Sequence, residues 1–345
     1  MNCFILGDEM KKKPLVSIIV PIFNVANYVY DCLASIRNQT FNDFEVVMID
    51  DGSTDQSNLI CEQFCQLDCR FILHTQKNAG LSVARNKGIQ FSSGEFILFV
   101  DPDDMLNEKL LEKTTNLLIK YGTDIVSFGY LTLNNDKLLE SSYSGPDLGK
   151  INSSIALESL FSGQFGNYVW KLLVKKSIYK KNRINFPQDR QFEDVATTYK
   201  ILGYARTIYF TSDRLYIYRQ RKNSITHMHS DKDLQDMLIT FNEIDLFIDR
   251  NFSSLKSILL NYEFNMIFML ITRMGGWDTN ILNVFRPLKR NQKRYIIDAK
   301  KTLKKIYRHK KNSKLNKKKQ WIKFFLLNLK VFPICIAIKS SLKRG

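Results

Sequence analysis

The stretch Glu95-Phe96-Ile97-Leu98-Phe99-Val100-Asp101-Pro102-Asp103-Asp104 decides how the rest of the chain is read. Its five consecutive apolar residues are too few for a helix and rich in strand formers, so they predict a strand buried on both faces. Three carboxylates follow within four residues, at the end of the strand where open α/β sheets place their ligands. On extended backbone Asp101 and Asp103, two residues apart, leave on the same side, and Pro102 between them stiffens the chain. Converging carboxylates repel unless a cation lies between them. Hard oxygen donors of this kind suit Mg²⁺ or Mn²⁺, which share their coordination shell with substrate phosphates. The plainer alternative is a solvated acidic turn that caps the next helix.

Working outward, residues 16–21 form a short buried strand ending at Pro21, and residues 27–38 carry apolar positions at helical spacing. A second strand over 44–49 ends in Asp50-Asp51-Gly52-Ser53-Thr54-Asp55, again acidic and turn-forming, and leads into a helix bearing Cys61, Cys65 and Cys69. A third strand covers 71–73; Asn78-Ala79-Gly80 breaks the chain before a helix over 82–91. Strands alternating with helices imply right-handed crossovers and a largely parallel sheet, with the acidic ends near Asp51 and Asp103 meeting at one edge. Neither a GxGxxG nor a Walker pattern is present, which argues against dinucleotide and P-loop chemistry.

The chain has 345 residues and a formal net charge of +17. From residue 300 onward it carries many lysines and arginines, one histidine and no Asp or Glu, so the excess charge belongs to a C-terminal tail and the remainder is close to neutral. That distribution, with no nucleic-acid-reading motif, excludes nucleic acid as the expected partner. The six cysteines suggest no disulfide framework; three soft ligands without a nearby histidine make a poor metal site, and small apolar residues in a reducing compartment is the better reading. Lys11-Lys12-Lys13-Pro14 passes directly into a strand pattern, so no signal peptide is expected.

Four segments occur in order: Ser17-Ile18-Ile19-Val20-Pro21-Ile22-Phe23-Asn24, the Asp50–Asp55 turn, Asn78-Ala79-Gly80-Leu81-Ser82-Val83-Ala84-Arg85-Asn86, and Asp101-Pro102-Asp103-Asp104. Together they resemble the N-terminal half of a family 2 glycosyltransferase of bacterial capsular or exopolysaccharide assembly. The resemblance implies the α/β GT-A fold: a Rossmann-like, mostly parallel sheet flanked by helices, here with a C-terminal helical extension. It further implies that Asp51 contacts the uracil of a UDP-sugar, that the backbone of Pro21, Ile22 and Phe23 lines the nucleotide site with Asn78 nearby, and that Arg85 approaches the nucleotide or diphosphate. Asp101 would meet the ribose and metal, and Asp103 the metal, Mg²⁺ or Mn²⁺.

Beyond residue 130 the pattern changes. Residues 131–150 are polar and predict a loop or hairpin, and Glu193 and Asp194 open a helix that continues through Val195, Tyr199 and Leu202. Acidic residues are common at helix starts without any catalytic role, because the helix's positive end favours them. The resemblance instead assigns this pair the base that takes the acceptor hydroxyl proton, with Asp194 at the matching position. A strand pair is expected over 208–217, followed by Arg219 and Arg221, which could bind a diphosphate bidentately, and by His227, a third metal ligand or diphosphate contact. One departure from the family pattern stands out: Trp170 is followed by Lys171-Leu172 where relatives carry Asn-Lys.

Five segments result: a disordered lead over 1–14, a nucleotide-sugar-binding half over 15–130, an acceptor and catalytic-base half over 131–233, a helical extension over 234–299, and a basic amphipathic tail over 300–345. Trp321-Ile322-Lys323-Phe324-Phe325 within the tail suits an anionic inner leaflet better than a membrane span. The expected function is inverting, metal-dependent transfer of a hexose or N-acetylhexosamine from a UDP-sugar to a lipid-linked or polysaccharide acceptor, by a cytoplasmic enzyme peripheral on the inner membrane face. A protein or wall teichoic acid acceptor, or a catalytically idle carbohydrate- or nucleotide-binding relative, are the alternatives.

Overall fold

A computed structural model describes residues 13–134, 137–139, 145–220, 232–275 and 290–309. The chain divides into two compact units, one of residues 1–160 and 164–222 and one of residues 161–163 and 223–345.

The first unit is built on a sheet whose central strand, β1 (Val16–Ile22), is buried at every position. It pairs in parallel with β2 (Phe44–Asp50) on one side and β4 (Phe96–Phe99) on the other. Strand β3 (Phe71–Thr75) continues the parallel order outside β2. Between these strands run α1 (Val29–Arg37), α2 (Ser57–Leu67) and α3 (Leu81–Phe91). Each buries a stripe at helical spacing, as with Val29, Cys32, Leu33 and Ile36 of α1. Helix α3 lies close on β1 because residue 88 is glycine; a Cβ there would overlap the Ile19 side chain. Arg85, three residues earlier on the same helix face, is thereby pressed towards the sheet.

The next elements are the short β5 (Met105–Leu106), α4 (Leu110–Tyr121), and a hairpin of β6 (Ile125–Asn134) with β7 (Lys137–Leu139). Then come β8 (Gly149–Asn152), α5 (Ser153–Phe161), β9 (Leu172–Lys175), α6 (Lys176–Lys181), α7 (Glu193–Tyr204) and β10 (Thr207–Arg219). Among the described residues the sheet has ten strands in the order β3-β2-β1-β4-β9-β6-β10-β5, with β7 beside β6 and β8 beside β10. Strands β3, β2, β1, β4, β6 and β10 run the same way, and β9 is inserted antiparallel between β4 and β6. The sheet is therefore mostly parallel, as expected.

Several local expectations change. Helix α2 stops at Leu67 because Asp68 is extended and its carboxylate turns back to accept from the Arg70 backbone N–H and guanidinium; Cys69 is off the helix and exposed, so the three cysteines share no face. The expected strand pair over 208–217 is one 13-residue strand, β10, whose register against β6 shifts around Arg214. The polar run Thr211-Ser212-Asp213 is accommodated as bulges rather than a turn.

In the second unit, α8 (Asp233–Asn251) and α9 (Lys256–Gly275) are separated at Phe252, where the backbone leaves helical geometry (φ −147°), so residues 234–274 form two helices. The Lys256 ammonium clips the break by pairing with Asp245 and Asp249 at 2.9 and 2.8 Å. Helix α10 (Arg290–His309) buries Ile296, Ala299 and Leu303 and is otherwise basic. Among the described residues no helix is long and apolar enough to cross a membrane. Most of the basic tail, residues 310–345, lies outside the described residues.

Candidate active site

The C-terminal ends of β1, β2 and β4 open on a set of loops held together by short polar side chains. Asp51, directly after β2, is buried, and its backbone N–H donates to the Ile22 carbonyl at 2.8 Å. Its carboxylate accepts from Gln76 Nε2 at 2.5 Å and from the backbone N–H groups of Ala79 and Gly80 at 2.8 Å each. Asp51 thus fastens the loop before α3 to the end of β2. Gly52 completes the junction: its φ is +75°, and a Cβ there would lie 2.9 Å from the Asn78 backbone nitrogen. Asn24, at φ +50°, accepts from the Thr54 N–H at 2.8 Å, and Asp55 accepts from the Ala26 N–H at 3.0 Å. Pro21 and Ile22 are buried in β1, whereas Phe23 and Asn78 are exposed at the mouth of these loops.

Residues 101–104 do not continue the strand. The Asp104 N–H donates to the Asp101 carbonyl at 3.0 Å, closing a turn with Pro102 at its second position. The expectation that Asp101 and Asp103 share a side by strand alternation is thereby corrected, since proline's fixed φ suits the turn as well as the strand. Asp104, the third carboxylate, is 1% exposed and faces inward. It accepts from the Tyr216 hydroxyl at 2.7 Å and the Arg219 N–H at 2.8 Å, and the same Tyr216 hydroxyl accepts from the Asp101 N–H at 3.1 Å. Burial, with Asp103 and Asp101 beside it, lifts the Asp104 carboxyl well above the usual range. Arg219 secures the turn from outside, donating to the Asp103 carbonyl at 3.1 Å and to the Asp31 carboxylate at 2.9 Å. Arg221 and His227 lie outside the described residues.

Arg85 joins this turn to α7. Its side chain is 2% exposed, with Asp101 at 3.1 Å, Glu193 at 3.0 Å and Asp194 at 2.8 Å. The guanidinium carbon lies 5.2 Å from the Phe186 ring centroid and 5.9 Å from that of Phe99. A planar fork of donors can engage three carboxylates at once in a way that a lysine ammonium cannot. Burial raises the Asp194 carboxyl to about 7; Arg85 opposes that rise, Glu193 and Asp101 add to it, and the polar backbone of Val169 lowers it. Phe192, at φ +61°, precedes the first turn of α7 and turns Glu193 and Asp194 towards the sheet end.

The sequence-predicted residues Asp101, Arg85, Glu193 and Asp194 therefore meet in one cluster. Asp51 and Arg219 are engaged in holding loops. Among the described residues no group of three or more His, Cys, Asp and Glu side chains is arranged to hold a metal ion. Asp104 is turned inward and Asp101 pairs with Arg85 at 3.1 Å, which leaves Asp103, half-buried, as the other carboxylate of the turn. One or two carboxylates completed by substrate phosphates is the ordinary protein share of a Mg²⁺ site, so this donor set fits such an ion.

Tyr216 went unrecognised as a site residue. Its signal was the alternation Tyr216-Ile217-Tyr218, which puts two phenols on one side of β10. Both rings stack on Trp170, at centroid distances of 4.4 and 5.9 Å. Lys171, at the departure from the family pattern, is buried with its ammonium 3.6 Å from the Phe165 ring centroid, and burial pushes its pKa well below the usual lysine value.

The sheet order, with its loops at the strand ends, and the acidic turn joined to a second acidic helix start define a GT-A-type transferase fold. The model of the family described as glycosyl transferase family 2 matches residues 17–182. The chain is 32% identical over 230 residues to the glycosyltransferase GlyG of Streptococcus pneumoniae serotype 4, covering 63% of this chain and 74% of that protein. It is 29% identical over 216 residues to TuaG of Bacillus subtilis, a putative teichuronic acid biosynthesis glycosyltransferase, covering 62% and 82%. Among solved structures, residues 1–349 of S. aureus TarS share the fold with a TM-score of 0.67 and 21% identity, over 95% of this chain and 91% of that one. The same segment in complex with UDP-GlcNAc gives 0.58 and 22%, over 87% and 93%. The chain belongs to glycosyl transferase family 2.

Proposed function

We propose that this chain is an inverting glycosyltransferase that moves a hexose or N-acetylhexosamine from a UDP-sugar to a lipid-linked saccharide during synthesis of a surface polysaccharide. The observation that carries this reading is the buried Arg85 guanidinium, which links Asp194 and Glu193 to Asp101. It brings a helix-start carboxylate together with the turn at the sheet end, as a single displacement requires of its base and its donor site.

In this reading Asp194 accepts the proton of the attacking hydroxyl. A carboxyl lifted to about 7 is better matched to that task near neutral pH than an ordinary aspartate. The Arg85 fork fixes its orientation, and the loops tied by Asp51 hold the nucleotide. Asp103 and Asp101 would hold Mg²⁺ or Mn²⁺, whose contribution when bound is to neutralise the departing diphosphate. UDP as the nucleotide is supported by the fold shared with TarS, solved with UDP-GlcNAc, and a polysaccharide role by the similarity to TuaG. The division of labour follows the same lines: residues 15–130 for the donor, 131–233 for acceptor and base, 234–299 as a helical extension. The basic tail over 300–345 holds the enzyme on the anionic inner face of the plasma membrane.

Thermal shifts with Mn²⁺ across a panel of nucleotide sugars test the donor assignment without any acceptor. A ligand at about a hundred times its Kd stabilises the native state by about 2.7 kcal/mol, so the true donor raises Tm by several degrees in a metal-dependent manner. A flat response to every nucleotide would return the chain to the idle-relative reading.

A further inference from the structure

Helix α3 has a second working face. Arg85 turns to the carboxylate cluster, whereas Val83, Asn86, Lys87 and Gln90 recur at helical spacing on another side and wall a cleft of about 550 Å³. The opposite wall is α6 and the chain that follows it. None of Asp101, Glu193 and Asp194 lines this cleft, and its volume is that of a small-molecule site. Three cations border it: Lys87 from α3, Lys180 from α6 and Arg183 just beyond. Among the described residues no Asp or Glu lines the cleft, and none of the three cations has a carboxylate partner. Lys176 stands in the same field. Its buried ammonium donates to the Ser92 carbonyl, and burial together with Lys180 lowers its pKa to about 8. A concave surface with unbalanced positive charge concentrates anions.

The wall beyond α6 is also strained. Among the described residues four other than glycine have positive φ, and three of them, Arg183 (51°), Asp189 (53°) and Phe192 (61°), lie in the connection from α6 to α7. Such conformations persist where surrounding structure enforces them. Asn86 is one restraint: its side-chain amide donates to the Phe186 carbonyl at 2.9 Å and accepts from the Phe186 N–H at 2.8 Å. Phe186 is thereby held inward, against the Arg85 guanidinium and the Phe99 ring, while Ile184, Asn185 and Gln188 line the cleft. The connection ends at Phe192, immediately before Glu193 and Asp194. One stretch of chain therefore borders the cleft and delivers the helix-start carboxylates.

We propose that this cleft binds a phosphorylated sugar, with its phosphate on Arg183, Lys87 and Lys180, and that the bound ligand braces the connection that positions Asp194. A phosphate dianion matches a guanidinium fork with two ammonium groups beside it. Inorganic phosphate alone would leave most of the cleft, and the amides of Gln90, Asn185 and Gln188, to water. Each amide both donates and accepts, as sugar hydroxyls do. A nucleobase would need an open aromatic face to stack on. Tyr179 is the one aromatic among the described lining residues, and it is 2% exposed. The inference goes beyond the transferase reading, and binding here can be measured whether or not that reading holds.

Isothermal titration of the full chain tests it, with α-D-glucose 1-phosphate and N-acetyl-α-D-glucosamine 1-phosphate as probes. Mg²⁺ and excess UDP are present to occupy the donor loops, and inorganic phosphate and uridine monophosphate serve as comparisons. At least one sugar phosphate should bind, and bind more tightly than either comparison. Arg183→Gln and Lys87→Gln should each weaken it by roughly tenfold, the lower end for a hydrogen bond to a charged group. Gln90→Ala should weaken the sugar phosphate while leaving inorganic phosphate unchanged. All three variants should keep the wild-type UDP thermal shift. In hydrogen exchange, the ligand should slow the amides of residues 183–192 in the wild type. No heat from either sugar phosphate, or an affinity untouched by both Arg183→Gln and Lys87→Gln, would overturn the site. Inorganic phosphate or uridine monophosphate binding as tightly would refute the sugar, and unaltered exchange at saturation would refute the brace. Sugar phosphate binding that depends on Arg183, in a protein that ignores every nucleotide sugar, would uphold the cleft and remove the transferase reading instead.

Discussion

Replacing Arg85 with glutamine tests whether one guanidinium holds the two halves of the site together. Arg85 is 2% exposed, and its partners Asp101, Glu193 and Asp194 are 26%, 22% and 19% exposed. Removing one member of a buried ion pair costs about 3–5 kcal/mol, because the charge left behind has no partner. Here the three carboxylates keep partial access to water, so the lower end applies, about 3 kcal/mol. At about 2–4 °C per kcal/mol for a domain of about 150–250 residues, Tm should fall by roughly 6–12 °C. The loss should depend on pH. Asp194 already stands at about 7, above its ordinary value of 3.8, and Arg85 is the group that opposes the rise. A carboxyl raised in the folded state contributes stability that is fully present below the unfolded pKa and lost as pH rises through the folded one. Without Arg85 the folded value climbs further, so the Tm deficit should be larger near pH 8 than near about pH 5.5. Scanning calorimetry of wild type, Arg85→Gln and Arg85→Lys across that range reads it directly. Lysine should recover only part of the loss, since one ammonium cannot span three carboxylates. An Arg85→Gln protein with unchanged Tm at every pH would refute the hub.

Asp194→Asn should fold, give the wild-type shift with nucleotide sugar, and lose transfer by about 10²–10⁴-fold in single-turnover assays; full transfer would remove Asp194 as the base. In the wild type, kcat should rise with pH through about 7 as Asp194 ionises, and an acid limb nearer pH 4 would place the base elsewhere. Asp51→Ala strands the Ala79 and Gly80 N–H groups and Gln76 Nε2; it should cost roughly 2–4 kcal/mol in urea unfolding and weaken UDP binding, while Asp51→Asn should cost less. Deleting residues 310–345 should abolish sedimentation with phosphatidylserine-containing vesicles but leave UDP binding intact, and a truncated protein that still sediments would move the membrane contact to another surface.

The fold was legible because its first half repeats one simple device, an apolar run followed by a polar turn. Every strand from β1 to β4 is short, β1, β2 and β4 are buried almost throughout, and each helix between them carries an apolar stripe, so period places them. Strand β9 escaped because its four residues, Leu172–Lys175, follow a 3₁₀ turn and carry too little periodicity to separate from a helix. The bulged β10 was divided in two because its polar centre reads locally as a turn, while pairing with β6 and β8 keeps it a strand. Tertiary pairing decided against local chemistry in both places.

The site divides along the same line. Asp51, Asp101, Asp103, Arg85 and Asp194 could be picked out from motifs, but a motif does not say which way a side chain turns. Asp51 spends both carboxylate oxygens on neighbouring N–H groups, and Asp104 turns inward to Tyr216 and Arg219. Arg85 meets carboxylates that stand 16 and more than 100 positions away in the chain. Its burial makes that meeting obligatory, because a guanidinium taken out of water must be paired. One helix position thus couples the turn after β4 to the start of α7. Any change that draws Asp101 towards a ligand must also alter the field at Asp194, 2.8 Å from the same guanidinium.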